Sequence, residues 1–237
     1  SIVWGSTRDH LLEVKAVLAD GSDAQFEELN TNAFLDKVAG NGLVNQREQA
    51  IYAGMWGIVS NPVDQALIAE QFPQKAVTRR NSGYALDALV GSFQQGKINL
   101  CQLIAGSEGT LCFVTEAKLR LVEVPPAAVG VLCVHTHSLT ESLHVNKIAM
   151  NHRPRASELV DKFIMDFTKN HPEYSKNRFF LEGDPAALLL VEFWGNTQEE
   201  VYEQAEGLVE ALQQAQLGYA YPLLFGEEAT KAWDIRK

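Results

Sequence analysis

The feature that most narrows how this chain can fold is Pro125-Pro126, taken with the pattern that follows it. Each proline lacks a backbone N–H and holds φ near about −65°, so a strand arriving there ends and the link beyond it is stiff. A new pattern then begins. Val129-Gly130-Val131-Leu132-Cys133-Val134 reads as a buried strand. Ser138 and Glu141 have the spacing of a capping box, which predicts a helix running to about Asn151. Ala156 to Val160 reads as a short strand leading into a helix through Phe163, Ile164 and Phe167, and Leu188 to Phe193 as another buried strand. Thr197-x-x-Glu200 opens a helix with apolar residues at 201, 205, 208, 212 and 215, and Gly218 supplies its stop. Tyr219 to Leu223 is the last strand expected. Strand, helix, strand, strand, helix, strand is the ferredoxin-like order, which by itself implies no function.

The part before the prolines has a different rhythm. Leu12, Val14, Ala16 and Leu18 alternate with Glu13, Lys15 and Val17, as in a strand with one buried face. Asp20-Gly21 is a hairpin signal with a second short strand after it. From Phe26 to Gln74 the pattern reads as helical, an insert over roughly 27–74. Within it, Asn32 to Val38 and Arg47 to Val59 carry apolar stripes, the latter with Ile51, Met55, Ile58 and Val59. Asn61-Pro62 looks like an N-cap followed by proline at the first helical position; Leu67, Ile68 and Phe72 are expected to face inward, and Pro73 closes the helix. A helical turn with Leu86, Leu89 and Val90 precedes a polar loop at Gln94-Gln95-Gly96-Lys97.

The chemistry-bearing stretch is Gly106-Ser107-Glu108-Gly109-Thr110-Leu111. Glycine permits positive φ and close approach of backbone to a ligand, and N–H groups beside the Ser107 and Thr110 hydroxyls suit the polar edge of a large cofactor. Taken alone, such a stretch is an ordinary glycine turn between two buried strands. The apolar run Leu111 to Val114 follows at once, and a long strand is expected over Ala117 to Val124. Two further stretches stand out: Trp4-Gly5-Ser6-Thr7-Arg8-Asp9-His10, where Arg8 is either solvated or in a structural ion pair, and Arg79-Arg80-Asn81-Ser82-Gly83-Tyr84-Ala85-Leu86.

Together these stretches resemble the FAD-linked oxidases of the vanillyl-alcohol oxidase / p-cresol methylhydroxylase superfamily, and within it the D-lactate, glycolate and D-2-hydroxyglutarate dehydrogenases. Gly-Ser-Glu-Gly-Thr-Leu followed by Thr115-Glu116 matches the group's signature, as do Trp-Gly-x-Thr-Arg-Asp at the start and Val-Leu-Ala-Asp-Gly ending at Gly21. Two departures stand out: Ala85 replaces an Asp, and Cys112 replaces the Gly that usually follows Thr-Leu, where a side chain narrows the approach of backbone to cofactor.

The resemblance implies an α+β chain, the C-terminal half of a PCMH-type FAD-binding domain over 1–125 followed by a ferredoxin-like cap (substrate) domain over 126–237, truncated at its C-terminal end. It also implies FAD as cofactor, with Asn81, Ser82, Gly83, Gly106, Ser107, Glu108, Gly109, Thr110, Val114 and Thr115 lining its site. Ala232-Trp233-Asp234-Ile235-Arg236-Lys237 resembles the group's Trp-x-x-Arg segment, which assigns Arg236 to the substrate carboxylate; a guanidinium fork matches a carboxylate bidentately. The alternative for Arg236 is a helix-end cation. The expected reaction is oxidation of a small D-2-hydroxy acid to the 2-oxo acid. Electrons would pass to an iron–sulfur domain, a quinone or another carrier. Segments that bear the phosphate-cradling loop and the catalytic and metal-binding histidines in relatives have no counterpart here, so no catalytic base and no metal ligand is assigned; the sequence reads as an internal fragment, inactive alone.

Composition is compatible with this. The 237 residues are 46% hydrophobic, enough to fill a core. A net charge of −10 argues against nonspecific nucleic-acid binding. Cys101, Cys112 and Cys133 lie in apolar settings without ligand spacing and read as small buried hydrophobes; His135, His137, His144, His152 and His171 read as surface or satisfied residues. Glu158 and Asp161 read as helix-terminal solvated groups. The expected location is cytoplasmic or peripheral to a membrane, and oligomerisation is left open. Two other readings compete: a non-catalytic binding module on a ferredoxin-like scaffold, and a flavoenzyme of the same superfamily with another substrate, such as a phenol. Trp-x-x-Arg favours a carboxylate.

Overall fold

The computed structural model describes residues 2–42, 45–74, 77 and 83–236. The chain is α+β and divides into two compact units, Gly5–Val122 and Glu123–Lys237 with Ser1–Trp4.

The Gly5–Val122 unit begins with a single turn, α1 (Thr7–His10), then strands β1 (Leu11–Val17) and β2 (Asp23–Asn30). They pair antiparallel with Val14 opposite Phe26 and Ala16 opposite Ala24. The hairpin turns where Asp20-Gly21 signalled it. Gly21 sits at φ 83°, and Asp20 Oδ1 accepts from both the backbone N–H (3.1 Å) and the hydroxyl (2.6 Å) of Ser22. Helices α2 (Thr31–Val38), α3 (Gln46–Val59), α4 (Pro62–Gln71) and α5 (Leu86–Gln94) follow, then β3 (Lys97–Asn99), α6 (Cys101–Ile104) and β4 (Phe113–Leu119). The sheet order is β3-β2-β1-β4. Val14, Ala16 and Phe26 on one sheet face pack with Phe34, Tyr52, Val59, Leu89 and Ile98. Phe34 and Tyr52 meet edge to face at 5.2 Å, an arrangement that aligns ring edges with π faces.

Several expectations change here. Residues 26–30 belong to a strand, because Phe26 continues the alternating buried pattern set by Ala24; the helices begin only where Asn30 caps α2 by accepting from Ala33 N at 2.9 Å. Asn61 caps α4 as its spacing suggested, accepting from Val63 N at 2.9 Å. Ile68 is buried in that helix, but Leu67 is 54% exposed, one 100° step off the buried stripe. Leu103 and Ile104 are helical rather than a strand. β4 starts at Phe113 and stops at Leu119, earlier than 117–124, because Leu119 pairs with Leu11, where β1 begins.

The Glu123–Lys237 unit runs β5 (Ala128–Thr136), α7 (Leu139–Ala149), β6 (Ala156–Asp161), α8 (Lys162–Phe167), β7 (Ala187–Gly195), α9 (Gln198–Gln214), β8 (Leu223–Phe225) and α10 (Gly226–Asp234). Its sheet order is β6-β7-β5-β8 with antiparallel neighbours, the 4-1-3-2 ferredoxin-like arrangement. One face packs on α7 and α9 through Val145, Val201, Ala205, Leu208 and Leu212. The other packs on Met165, Phe180, Ala232 and Ile235. α10 therefore adds cover on a second face that element order alone did not announce.

Local chemistry explains the boundaries. Ser138 Oγ accepts from Glu141 N, as a capping box requires. Glu141, however, reaches past Ser138 to accept from His137 N and, with its other oxygen, from Gly218 N, both at 2.7 Å. The stop of α9 lies at Gln216, not Gly218. Gln216 takes φ 56°, while Gln216 N and Leu217 N bond Gln213 O and Leu212 O in the Schellman pattern. The last strand is correspondingly late: Ala220 makes only a bridge to His135 before β8 begins at Leu223. Among the described residues, no helix is long and apolar enough to cross a membrane.

Candidate functional site

The 106–115 loop is built on the end of α6. Ser107 N donates to Ile104 O at 3.0 Å, and Thr110 N and Oγ1 donate to Ser107 O at 3.0 and 2.6 Å. Three residues take positive φ in close succession, Gly106 (88°), Glu108 (52°) and Gly109 (75°). For Glu108 this conformation costs about 1 kcal/mol or more. The glycines were legible in the sequence; the strained Glu108 between them was not. Gly106, Glu108, Gly109 and Thr110 are exposed, while Ser107 is 6% exposed. Ser107 thus shapes the loop through its carbonyl, and the exposed residues are the ones able to meet a ligand.

Two supports come from the other sequence landmarks. Arg8 donates from Nε to Gln102 O at 2.9 Å and from Nη2 to Ala105 O at 3.0 Å. It is neither solvated nor ion-paired in these contacts; it satisfies carbonyls at the end of α6, immediately before Gly106. Asp9 in turn clasps Ser6 through its N–H at 2.7 Å and its hydroxyl at 2.9 Å. Tyr84 bonds Thr110 through the two hydroxyls at 2.8 Å, next to Gly83 at φ 72°. The expected contributions of Asn81 and Ser82 lie outside the described residues.

Beyond the loop, β4 presents Val114 and Thr115 on an exposed edge strand. Lys15 pairs with Glu116 and Ala16 with Val114, so Thr115 is the extra residue of a β-bulge, and its hydroxyl donates to Lys15 O at 3.1 Å. Bulges re-aim side chains and are common beside functional sites. Cys112, half-buried, joins Ile51, Met55, Ile58, Leu103 and Leu111 around an apolar cavity of 540 Å³. Burial pushes its thiol pKa up, so Cys112 stands there as a neutral thiol. The exposed backbone of the loop at positive φ is what fits the hydrogen-bonding edge of a large cofactor; the Thr110 and Thr115 hydroxyl protons are already given to Ser107 O and Lys15 O.

Arg236 belongs to the other unit. It follows α10 directly after Ile235, which is fully buried and anchors the helix end. Its guanidinium lies over the Trp233 ring at 5.0 Å and bonds Glu158 through Nη1. Glu158 is therefore an ion-pair partner, contrary to its expected solvated role. Asp161 does cap a helix, accepting from Ile164 N at 2.9 Å. Glu158 and Arg236 border a hollow of 420 Å³ with Leu159, Val160 and Ile164. Trp233 Nε1 donates to Glu192 Oε2 at 3.2 Å, and Trp194 Nε1 donates to Glu192 Oε1 at 2.7 Å. The Trp-x-x-Arg spacing pointed to Arg236; the carboxylates arrive from β6 and β7, which no local signal tied to it.

His135 is wholly buried. Its Nε2 accepts from Glu182 N at 3.2 Å, which leaves Nδ1 to donate to Cys133 O at 3.0 Å. Desolvation lowers its pKa despite these bonds.

Comparison with known proteins follows the same division. Residues 126–237 match the family described as FAD linked oxidases, C-terminal domain. The whole chain is 31% identical to a D-2-hydroxyglutarate dehydrogenase of Pseudomonas putida, covering 23% of that protein. Over 88% of the chain it is 24% identical to an Escherichia coli D-2-hydroxyglutarate dehydrogenase, covering 20% of it. Over 64% of the chain it is 30% identical to a D-lactate dehydrogenase of Anaerostipes hadrus, covering 32% of it. The chain thus spans 19–23% of the length of the D-2-hydroxyglutarate dehydrogenases it matches. Among solved structures, p-cresol methylhydroxylase with bound substrate aligns over 95% of this chain and 37% of that one, at 13% identity and a TM-score of 0.43.

Proposed function

We propose that this chain, whose residues 126–237 match the FAD linked oxidase C-terminal domains, is part of an FAD-dependent dehydrogenase acting on a small D-2-hydroxy acid. Arg236 holds the substrate carboxylate. The 106–115 loop, with Gly83, holds the polar edge of the flavin. A bound flavin would supply the redox chemistry, the two-electron oxidation of the 2-hydroxy acid to the 2-oxo acid. This chain's own share is orientation and charge: an exposed hydrogen-bonding loop on one unit and a cation on the other. Electrons leave to an iron–sulfur domain, a quinone or another carrier.

The observation that carries the reading is Arg236 itself, a guanidinium stacked on an indole beside a hollow with an aliphatic wall. Such a site suits a carboxylate on a short carbon chain. The relatives named for D-2-hydroxyglutarate and D-lactate support the substrate class.

The test compares the full-length parent protein with the 237-residue chain. The visible absorbance of each is recorded before and after addition of D-2-hydroxyglutarate, D-lactate and glycolate. The expected result is a yellow parent bleached by one of these acids and a colourless 237-residue chain. A parent that binds no flavin refutes the proposal and leaves the non-catalytic binding module in its place.

A further inference from the structure

Trp233 and Glu158 both touch the Arg236 guanidinium, one from beneath and one at its edge. Trp233 lies in the last turn of α10 and Arg236 just beyond the helix end, three residues on. The guanidinium lies 5.0 Å from the ring centroid, within range of a cation–π attraction. Trp233 is itself held: its indole N–H donates to Glu192 on β7, whose other oxygen accepts from Trp194. β7 lies between β6 and β5 in the sheet, so this carboxylate is fixed by the sheet and not by a loop. Glu158 comes from the neighbouring strand β6, opposite Leu190, and takes one edge of the same guanidinium.

The pair is open to solvent, with side chains 45% and 44% exposed. Burial therefore does not force Glu158 onto Arg236, and its carboxylate can be exchanged for another. Its carboxylate on a short aliphatic stem has the chemistry that would bind in the adjoining hollow, walled by Leu159, Val160 and Ile164.

We propose that Trp233, oriented by Glu192, is the positioning residue that presents the Arg236 guanidinium, and that Glu158 is an internal counter-ion which the carboxylate of an incoming ligand displaces. This rests on the reading of Arg236 as a carboxylate site. It adds two residues acting in opposite directions: Trp233 raises affinity by keeping the fork in one orientation, and Glu158 lowers it by competing for the fork.

The experiment is calorimetric binding of 2-oxoglutarate, which does not turn over, to the full-length parent protein, alongside KM and kcat with D-2-hydroxyglutarate. Arg236→Ala is the control and is expected to abolish measurable binding. Trp233→Leu is expected to weaken binding about 2- to 5-fold, the worth of an exposed cation–π contact. KM should rise in proportion at nearly constant kcat. Trp233→Phe keeps a ring beneath the guanidinium and is expected to retain most of the affinity. Glu158→Gln is expected to tighten binding by up to about 5-fold, the worth of an exposed ion pair. A merely structural Trp233 would lower the melting temperature and kcat without moving KM. If Arg236→Ala weakens binding while Trp233→Leu leaves it unchanged, or if Glu158→Gln weakens it, the positioning device is wrong and the carboxylate site stands. If Arg236→Ala binds normally, the carboxylate site is wrong, and the device with it.

Discussion

Replacing Arg8 by alanine should loosen the 106–115 loop, although ninety-eight residues of sequence separate Arg8 from its start at Gly106. The side chain is half-buried and gives two hydrogen bonds, Nε to Gln102 O and Nη2 to Ala105 O. Hydrogen bonds from a charged donor are worth about 1.5–3 kcal/mol each, and partial solvation places these at the low end, so losing both costs about 2–3 kcal/mol. The loop hangs on those carbonyls: Ser107 N bonds back to Ile104 O, and Thr110 N to Ser107 O. If the cost falls on local opening, exchange of the Ser107 and Thr110 amides should accelerate about 30- to 150-fold, since each 1.4 kcal/mol is a factor of ten. Hydrogen exchange followed by mass spectrometry over 103–113 reads this directly. Arg8→Lys keeps the charge but lacks the planar fork, reaches one carbonyl at most, and should fall between the two. Exchange in Arg8→Ala within about threefold of the parent sequence, on the same scale, would refute the view that Arg8 braces the loop.

Two further predictions concern the Glu123–Lys237 unit. At Gly130 in β5 an added Cβ would lie 2.6 Å from Val201 Cγ1 and 3.0 Å from Phe225 Cε1, so Gly130→Ala should cost about 1–3 kcal/mol in urea unfolding. Adding Val201→Ala should recover part of that loss if the clash is the cause, and simple additivity of the two costs would argue otherwise. Burial lowers the pKa of His135 in the folded state, so the unfolded chain binds the proton first. The His135 contribution is therefore intact above about pH 6.5, the unfolded value, and is lost as pH falls through the lower folded value. Unfolding midpoints measured from pH 7.5 to 5 should fall, and His135→Gln, which can still accept from Glu182 N, should flatten the curve; an unchanged slope would remove His135 as its source.

What the sequence determined by itself is the local chemistry and the order of elements. Asn61 before Pro62, Ser138 before Glu141 and Thr197 before Glu200 announce helix starts because a cap needs only residues within three positions. Alternation over β1 and the apolar runs Val129–Val134 in β5 and Leu188–Val191 in β7 declare strands, since one needs a period of two and the others burial on both faces. The glycines at 106 and 109 mark a loop of unusual backbone because no other residue takes that conformation at so little cost. The pattern misled where the cue was shared: Phe26 suits a helix stripe as well as a strand face, and Gly218 sits two residues beyond the left-handed Gln216 that ends α9.

Only the tertiary structure decided how distant residues combine. Arg8 reaching Ala105, Tyr84 reaching Thr110, the bulge at Thr115, and Glu158 and Glu192 converging on the Trp233–Arg236 pair all depend on strand register and helix placement. A carboxylate 78 residues from its guanidinium leaves no mark on the residues between them. Such contacts follow from which strands pair and which face a helix covers, and those choices are settled by burying apolar surface over a whole unit rather than by any local pattern.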